Sequence, residues 1–182
     1  MLKIENATLC DIKNIMQIEK ESFAFDIQEC EEVFFERIKI FPEGFLLFFE
    51  EDSGLEKNPA DLQSRIPFGY FSTELWSGIP DAQDFAVGHD IKKLHSPHGK
   101  ILYISSFALS KNARGKGNGF ALFLQCLERL EKQFLLEREV LLVNEKWQGA
   151  KHIYEKAGFK ETMKIPGAFP DSKFGIFMER EV

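Results

Sequence analysis

Residues 110–123 read SKNARGKGNGFALF: three glycines (Gly115, Gly117, Gly119) and three cations (Lys111, Arg114, Lys116). They stand between the apolar run KILYISSFALS, residues 100–110, and GFALFLQCLERLEKQF, residues 119–134. The first predicts a buried strand. The second, with Leu122, Leu127 and Leu130 among its apolar positions, predicts an amphipathic helix. A strand that turns through bare glycines into a helix aims unpaired backbone N–H groups at one point, and the helix dipole adds positive charge there. Glycines let a ligand approach the backbone with no Cβ in the way. Such a bend suits phosphate. It is not a P-loop, because no serine or threonine follows the lysine, and the dinucleotide fingerprint G-x-G-x-x-G fails at Phe120.

Working outward, LKIENAT (residues 2–8) alternates as a strand, and Thr8 with Asp11 reads as a helix start. Ile12, Ile15, Met16, Glu19 and Phe23 keep a helical period. ESFAFDIQEC (21–30) breaks it before a second helix carrying Cys30, Phe34, Ile38 and Phe41. EGFLLFFEE (43–51) predicts a buried strand and IPFGYFSTELW (66–76) its antiparallel return, with a polar surface loop at 51–65 between them. Residues 77–99 form a long insertion with Pro80, Pro97 and a short helix expected around 82–94. EVLLVNE (139–145) predicts a strand, WQGAKHIYEKAG (147–158) a helix ending at Gly158, and FKETMKI and KFGIFMERE two closing strands.

The whole is expected to be one domain, residues 1–182, of mixed α and β structure. Apolar residues make up 44% of the chain and charged residues 29%, ordinary values for a soluble globule, while 19 phenylalanines suggest a core or pocket built from rings. The formal charge of −6 argues against nucleic acid, which selects basic surfaces. Against that background the cationic bend suits one small polyanion. Cys10, Cys30 and Cys126 are too few and too scattered for a disulfide framework or a zinc site, so no metal is expected. Cys126 reads as a buried small hydrophobe. No signal peptide or membrane span is read, which points to a cytoplasmic protein without a membrane partner.

Arg114-Gly115-Lys116-Gly117-Asn118-Gly119 matches [Q/R]-x-x-G-x-[G/A], and the pattern resembles the pyrophosphate loop of the GNAT superfamily of acyl-CoA-dependent N-acyltransferases. Downstream, LLVNEKWQGAKHIYEKAGF (141–159) is similar to that family's N-x(5)-A-x(3)-Y-x(3)-GF segment, with Asn144, Ala150, Tyr154, Gly158 and Phe159 at the marked places. IMQIEKESFAFD (15–26) resembles its first-helix and substrate-loop segment. LHSPHGKILYISSFALSKNARGKG (94–117) resembles the arylalkylamine (serotonin-type) branch. One departure is Trp147, where many members carry a second asparagine.

The resemblance implies an α+β fold: a twisted, mostly antiparallel sheet, splayed between the strands around 101–109 and 139–144 and flanked by about four helices. It implies acetyl-CoA as cofactor and a small-molecule or peptide amine as acceptor; a homodimer is left open. Phe107, Ala108 and Leu109 would offer backbone groups to pantetheine. Arg114 to Gly119 would cradle the pyrophosphate, Lys111 or Lys116 would meet the ribose phosphate, and Asn144, Ala150 and Tyr154 would complete the cofactor site. Tyr154 would return a proton to the departing thiolate. The base is open. Two histidines of the arylalkylamine branch fall on Tyr103 and Ser105, which could anchor a water chain; Glu74, His95 and His98 are further candidates. Phe23, Phe25, Asp26 and Glu74 are the expected acceptor-site residues, with Glu21 an alternative to Asp26 for attracting an ammonium group. A silent acyl-CoA-binding sensor and a protein N-terminus or lysine acetyltransferase are the competing readings.

Overall fold

The computed structural model describes residues 2–50, 66–82, 84 and 87–182. Seven strands form one sheet: β1 (Leu2–Asn6), β2 (Phe45–Glu50), β3 (Gly69–Trp76), β4 (Ile101–Leu109), β5 (Arg138–Asn144), β6 (Lys160–Pro166) and β7 (Phe174–Glu181). Their order is β1-β2-β3-β4-β5-β7-β6, and every pairing is antiparallel except β4 with β5. The helices are α1 (Ile12–Ser22), α2 (Glu31–Ile40), α3 (Ile91–Leu94), α4 (Asn118–Gln133) and α5 (Gln148–Lys156). The fifth, beyond the expected four, is the single turn α3. Among the described residues it is all that forms of the helix expected over 82–94; residues 83, 85 and 86 lie outside them. So does the loop expected at 51–65.

The two faces of the sheet carry different cores. Phe45, Leu47 and Phe49 of β2 pack with Ile15 and Ile18 of α1 and Phe34 and Ile38 of α2. Leu46 and Phe48 point the other way, into the core under α4. A strand buried on both faces has no reason to alternate, which is why β2 is an unbroken apolar run. On α4 the buried stripe is Leu122, Phe123, Cys126, Leu127 and Leu130, a helical period set against β3, β4 and β5. Burying each of the larger of these side chains stabilises the fold by about 2 kcal/mol. Thr8 starts the first helical segment as expected: its N–H and hydroxyl both donate to Asp11 Oδ2, at 2.8 and 2.7 Å. One 3-10 turn, Leu9–Asp11, then leads into α1.

Two irregularities in the sheet make room for a site. First, Ser72 of β3 faces Ser106 of β4 while Thr73 faces Ile104, so Ser105 is an extra residue, a β-bulge. It reverses the alternation of β4. Leu102 and Ile104 pack into the α4 core, yet beyond the bulge Phe107 and Leu109 take that side, and Ala108 turns to α1 and α2. Second, the parallel pairing of β4 with β5 runs only from Ile101–Arg138 to Ile104–Leu141. Past Ile104 the strands separate, the splay expected between them.

Candidate active site

A cavity of about 710 Å³ fills that splay. It runs from the glycine bend, between Ser105–Leu109 on one side and Leu141–Val143 on the other, to side chains of α1 and α2. At the bend, Gly115 and Gly117 have φ of +73° and +79°, the left-handed region that side chains rarely adopt, and a Cβ on either would meet nothing within 4 Å. The backbone here faces open space. Gly117 is the N-cap of α4, and no side chain caps that helix end. The first-turn N–H groups and the helix dipole are therefore available to an anion. Arg114 Nε donates to Leu109 O at 2.8 Å, tying the bend to the end of β4. Arg114, Gly115, Gly117 and Gly119 form cavity wall, whereas Lys111, Lys116 and Asn118 do not. The lysine on the wall is Lys156 of α5, lying 4.2 Å over the Phe120 ring, with His152 beside it one turn earlier.

Across the splay, α5 contributes Ala150 and Tyr154. Tyr154 is buried against Phe123, ring centroids 5.0 Å apart, and burial alone pushes its pKa up, so its hydroxyl keeps its proton. Asn144 stands apart. It is buried, its amide donates to Asp171 Oδ1 at 2.7 Å, its oxygen accepts from Lys146 N at 2.9 Å, and it forms no part of the wall. Trp147, the departure from the family pattern, packs between Phe23 and Phe169 with centroids 5.4 and 5.3 Å away, an aromatic side to the cavity.

The far end is polar, and sequence reasoning missed its principal members. Glu19 of α1 is buried; its Oε1 accepts the Glu29 N–H at 2.8 Å, and its Oε2 accepts a short hydrogen bond from the Tyr70 hydroxyl. Tyr70 in turn pairs with Ser106 Oγ at 2.9 Å. Burial raises the Glu19 pKa to about 7, outweighing the two hydrogen bonds that favour its anion. With Tyr70 donating to Glu19, the Ser106 hydroxyl donates to Tyr70, and the chain Ser106–Tyr70–Glu19 leads from the β4 wall to a half-ionised carboxylate. Arg37 of α2 pairs with Glu29 at 2.9 Å. His89, from the insertion, pairs with Glu74 and also reaches the wall.

Several expected site residues fall elsewhere. Phe25 is 91% exposed and lines no slot, and Asp26 is also exposed. Both belong to a 3-10 turn, Phe25–Ile27, whose buried residue is Ile27. Glu74 is wholly buried and is not itself on the wall; it accepts from Trp76 Nε1 at 3.2 Å and pairs with His89, which is. Ser105 and Tyr103 are on the wall, but the Ser105 hydroxyl donates to Ser72 at the bulge. Tyr103 is stacked on Trp76 with its pKa pushed up by burial and then by Glu74. Neither is a base. His95 accepts from Leu75 N through Nδ1 and packs on Phe41, and His98 is exposed; neither touches the cavity. Phe23, Phe107, Ala108 and Leu109 line the cavity.

This architecture is shared. Residues 84–168 match the family model described as Acetyltransferase (GNAT) domain. The chain is similar to the loading GNATL domain of CurA from Lyngbya majuscula, with a TM-score of 0.80 and 12% identity over 100% of this chain and 98% of that one. It is also similar to the ribosomal-protein-S18-alanine N-acetyltransferase of Escherichia coli (TM-score 0.67, 18% identity, 100% and 94% covered). Arabidopsis thaliana NAA60, solved in complex with acetyl-CoA, gives a TM-score of 0.70 at 14% identity, with 100% and 99% covered. No curated protein matches by sequence. The full-length likeness to these structures shows that the chain has the GNAT fold. Nothing in these likenesses singles out the arylalkylamine branch.

Proposed function

We propose that the chain is an acetyl-CoA-dependent N-acetyltransferase, one domain acting on a primary amine by direct attack within a ternary complex. The observation that carries this reading is one continuous cavity with an uncapped, positive-φ glycine bend at one end and a carboxylate of pKa about 7 at the other. Bound there, acetyl-CoA supplies an activated thioester. Arg114 and the amides of Gly115 to Gly119 would hold its diphosphate, Lys156 would meet a further phosphate, and β4 beyond the bulge would offer backbone groups to the pantetheine arm.

An alkylamine is mostly protonated at neutral pH, so a base must free its lone pair. Glu19 serves, receiving the proton through Ser106 and Tyr70, each hydroxyl passing one proton on as it takes one. Tyr154, held protonated by burial, donates to the departing sulfur. Two protons leave the nitrogen and one goes to sulfur, so each turnover releases one proton to solvent. The test is thiol release with acetyl-CoA across a panel of amines and peptides. Turnover that drops at least ~100-fold in both Glu19→Gln and Tyr154→Phe supports the reading. Saturable CoA binding without release for any acceptor would instead make the chain a silent acyl-CoA binder.

A further inference from the structure

The far end of the cavity holds a second recognition element that proton transfer does not use. Arg37 is 1% exposed, yet among the described residues only Nη2 of its guanidinium nitrogens has a partner, Glu29 Oε1 at 2.9 Å. Nε and Nη1 are buried with no hydrogen-bond partner, and so is Glu29 Oε2. All of these belong to residues that line the cavity. The charge of Arg37 is offset by Glu29 and Glu74, whose attraction outweighs its burial, but its idle N–H donors still carry the cost of a buried polar group left unpaired. Protein interiors rarely leave such groups unmatched, and where they do, an ordered water, an ion or a ligand meets them. The unmet groups come in both signs: N–H donors on a cation and an acceptor oxygen on an anion, joined through one ion pair. Glu29 is one hydrogen bond from Glu19, so the unmet pair adjoins the base.

Resting on the acetyl-transfer reading above, we infer that the acceptor is a free α-amino acid, its carboxylate received by the guanidinium of Arg37 and its ammonium group by the unpartnered Oε2 of Glu29. An arginine fits the planar, two-oxygen carboxylate better than any other side chain. A carboxylate on one end and an ammonium on the other satisfies both unmet signs with one small molecule, and leaves the nitrogen beside the Ser106–Tyr70–Glu19 chain. A simple arylalkylamine or polyamine would leave Arg37 unmet. So would a peptide N-terminus, whose α-carboxyl is already an amide. A carboxylate could also arrive on the acyl group, as in malonyl-CoA or succinyl-CoA, and the experiment separates that source.

The experiment uses the wild-type chain first, with acetyl-CoA and each of the twenty amino acids set against its own α-amide. At least one acid should be acetylated with a kcat/KM ten times or more that of its amide, although the amide's amine is less protonated at neutral pH. Titration of that acid into the CoA-bound protein should show saturable binding that the amide lacks. In Arg37→Gln the acid-to-amide ratio should collapse toward one, with Arg37→Lys between. A structural role for Arg37 would lower both substrates together and leave the ratio unchanged. Equal or better use of every amide would overturn the inference while leaving the acetyl-transfer reading intact. So would an Arg37-dependent preference for malonyl-CoA or succinyl-CoA over acetyl-CoA. Failure of CoA itself to shift the melting temperature would sink the acetyl-transfer reading, and this inference with it.

Discussion

Glu19 stays half-protonated near neutral pH because it sits in the same buried stripe as Ile12, Ile15 and Ile18, where an anion is poorly solvated. Its folded pKa of about 7 lies above the ordinary 4.5, so it contributes stability that is fully present below about pH 4.5 and lost as pH rises through about 7. Glu19→Gln cannot ionise. Relative to wild type it should gain up to about 3 kcal/mol between pH 4.5 and 8.5, read from denaturant midpoints at a series of pH values. Glu139, raised to about 7 by burial against the pull of Arg180, titrates in both proteins and cancels in the difference. A flat difference would contradict the assignment. In turnover the same group should give kcat/KM a rising limb near pH 7, which Glu19→Gln removes. Tyr154→Phe keeps the ring packing against Phe123 and deletes the acid; kcat should fall ~100-fold with CoA affinity unchanged in an equilibrium titration.

Among the elements, the glycine bend and the bulge do most to shape the cavity. Gly117 at φ +79° costs any other residue about 1–2 kcal/mol of backbone strain, but the space around its missing Cβ is open. Gly117→Ala should therefore fold, melting a few degrees lower, while binding CoA at least tenfold more weakly, because the added methyl stands where the diphosphate would lie. A fall in melting temperature with unchanged CoA affinity would place the ligand elsewhere. Deleting Ser105 would abolish the bulge and leave Phe107 and Leu109 on the α4 side, because Ile104 and Ser106 already face opposite ways. That variant should therefore keep a cooperative unfolding transition, and Ser105→Ala, which removes only the hydrogen bonds to Ser72, should cost about 1 kcal/mol, both read from denaturant midpoints. The bend was legible because glycine and a following apolar period leave a chemical mark. The bulge was not, since ILYISSFAL reads as the same strand whether or not Ser105 is counted into the ladder.

At the scale of the molecule, the mostly antiparallel sheet and the splay were implied by motifs that lie on consecutive elements of the second half of the chain. The acceptor end is built differently. Glu19 and Arg37 lie on two helices and meet only because α1 and α2 pack on the same face of β3 around Tyr70. Each did carry a signal: a charge inside an otherwise apolar helical stripe, beside Ile18 for Glu19 and between Phe34 and Ile38 for Arg37. What the stripe alone does not say is that the two charges converge, or that a cavity reaches them. His89 had no periodicity to mark it, and the segment ESFAFD drew notice to Phe25 and Asp26, which face outward, instead of Glu19. The account rests on the bend as the diphosphate site, and amide hydrogen exchange with and without acetyl-CoA tests it most directly. The account predicts that saturating acetyl-CoA slows exchange at Gly115 to Gly119 and in the first turn of α4 by at least tenfold, with smaller protection along Ser105 to Leu109. Unchanged exchange across Gly115 to Gly119 at saturating acetyl-CoA would contradict it.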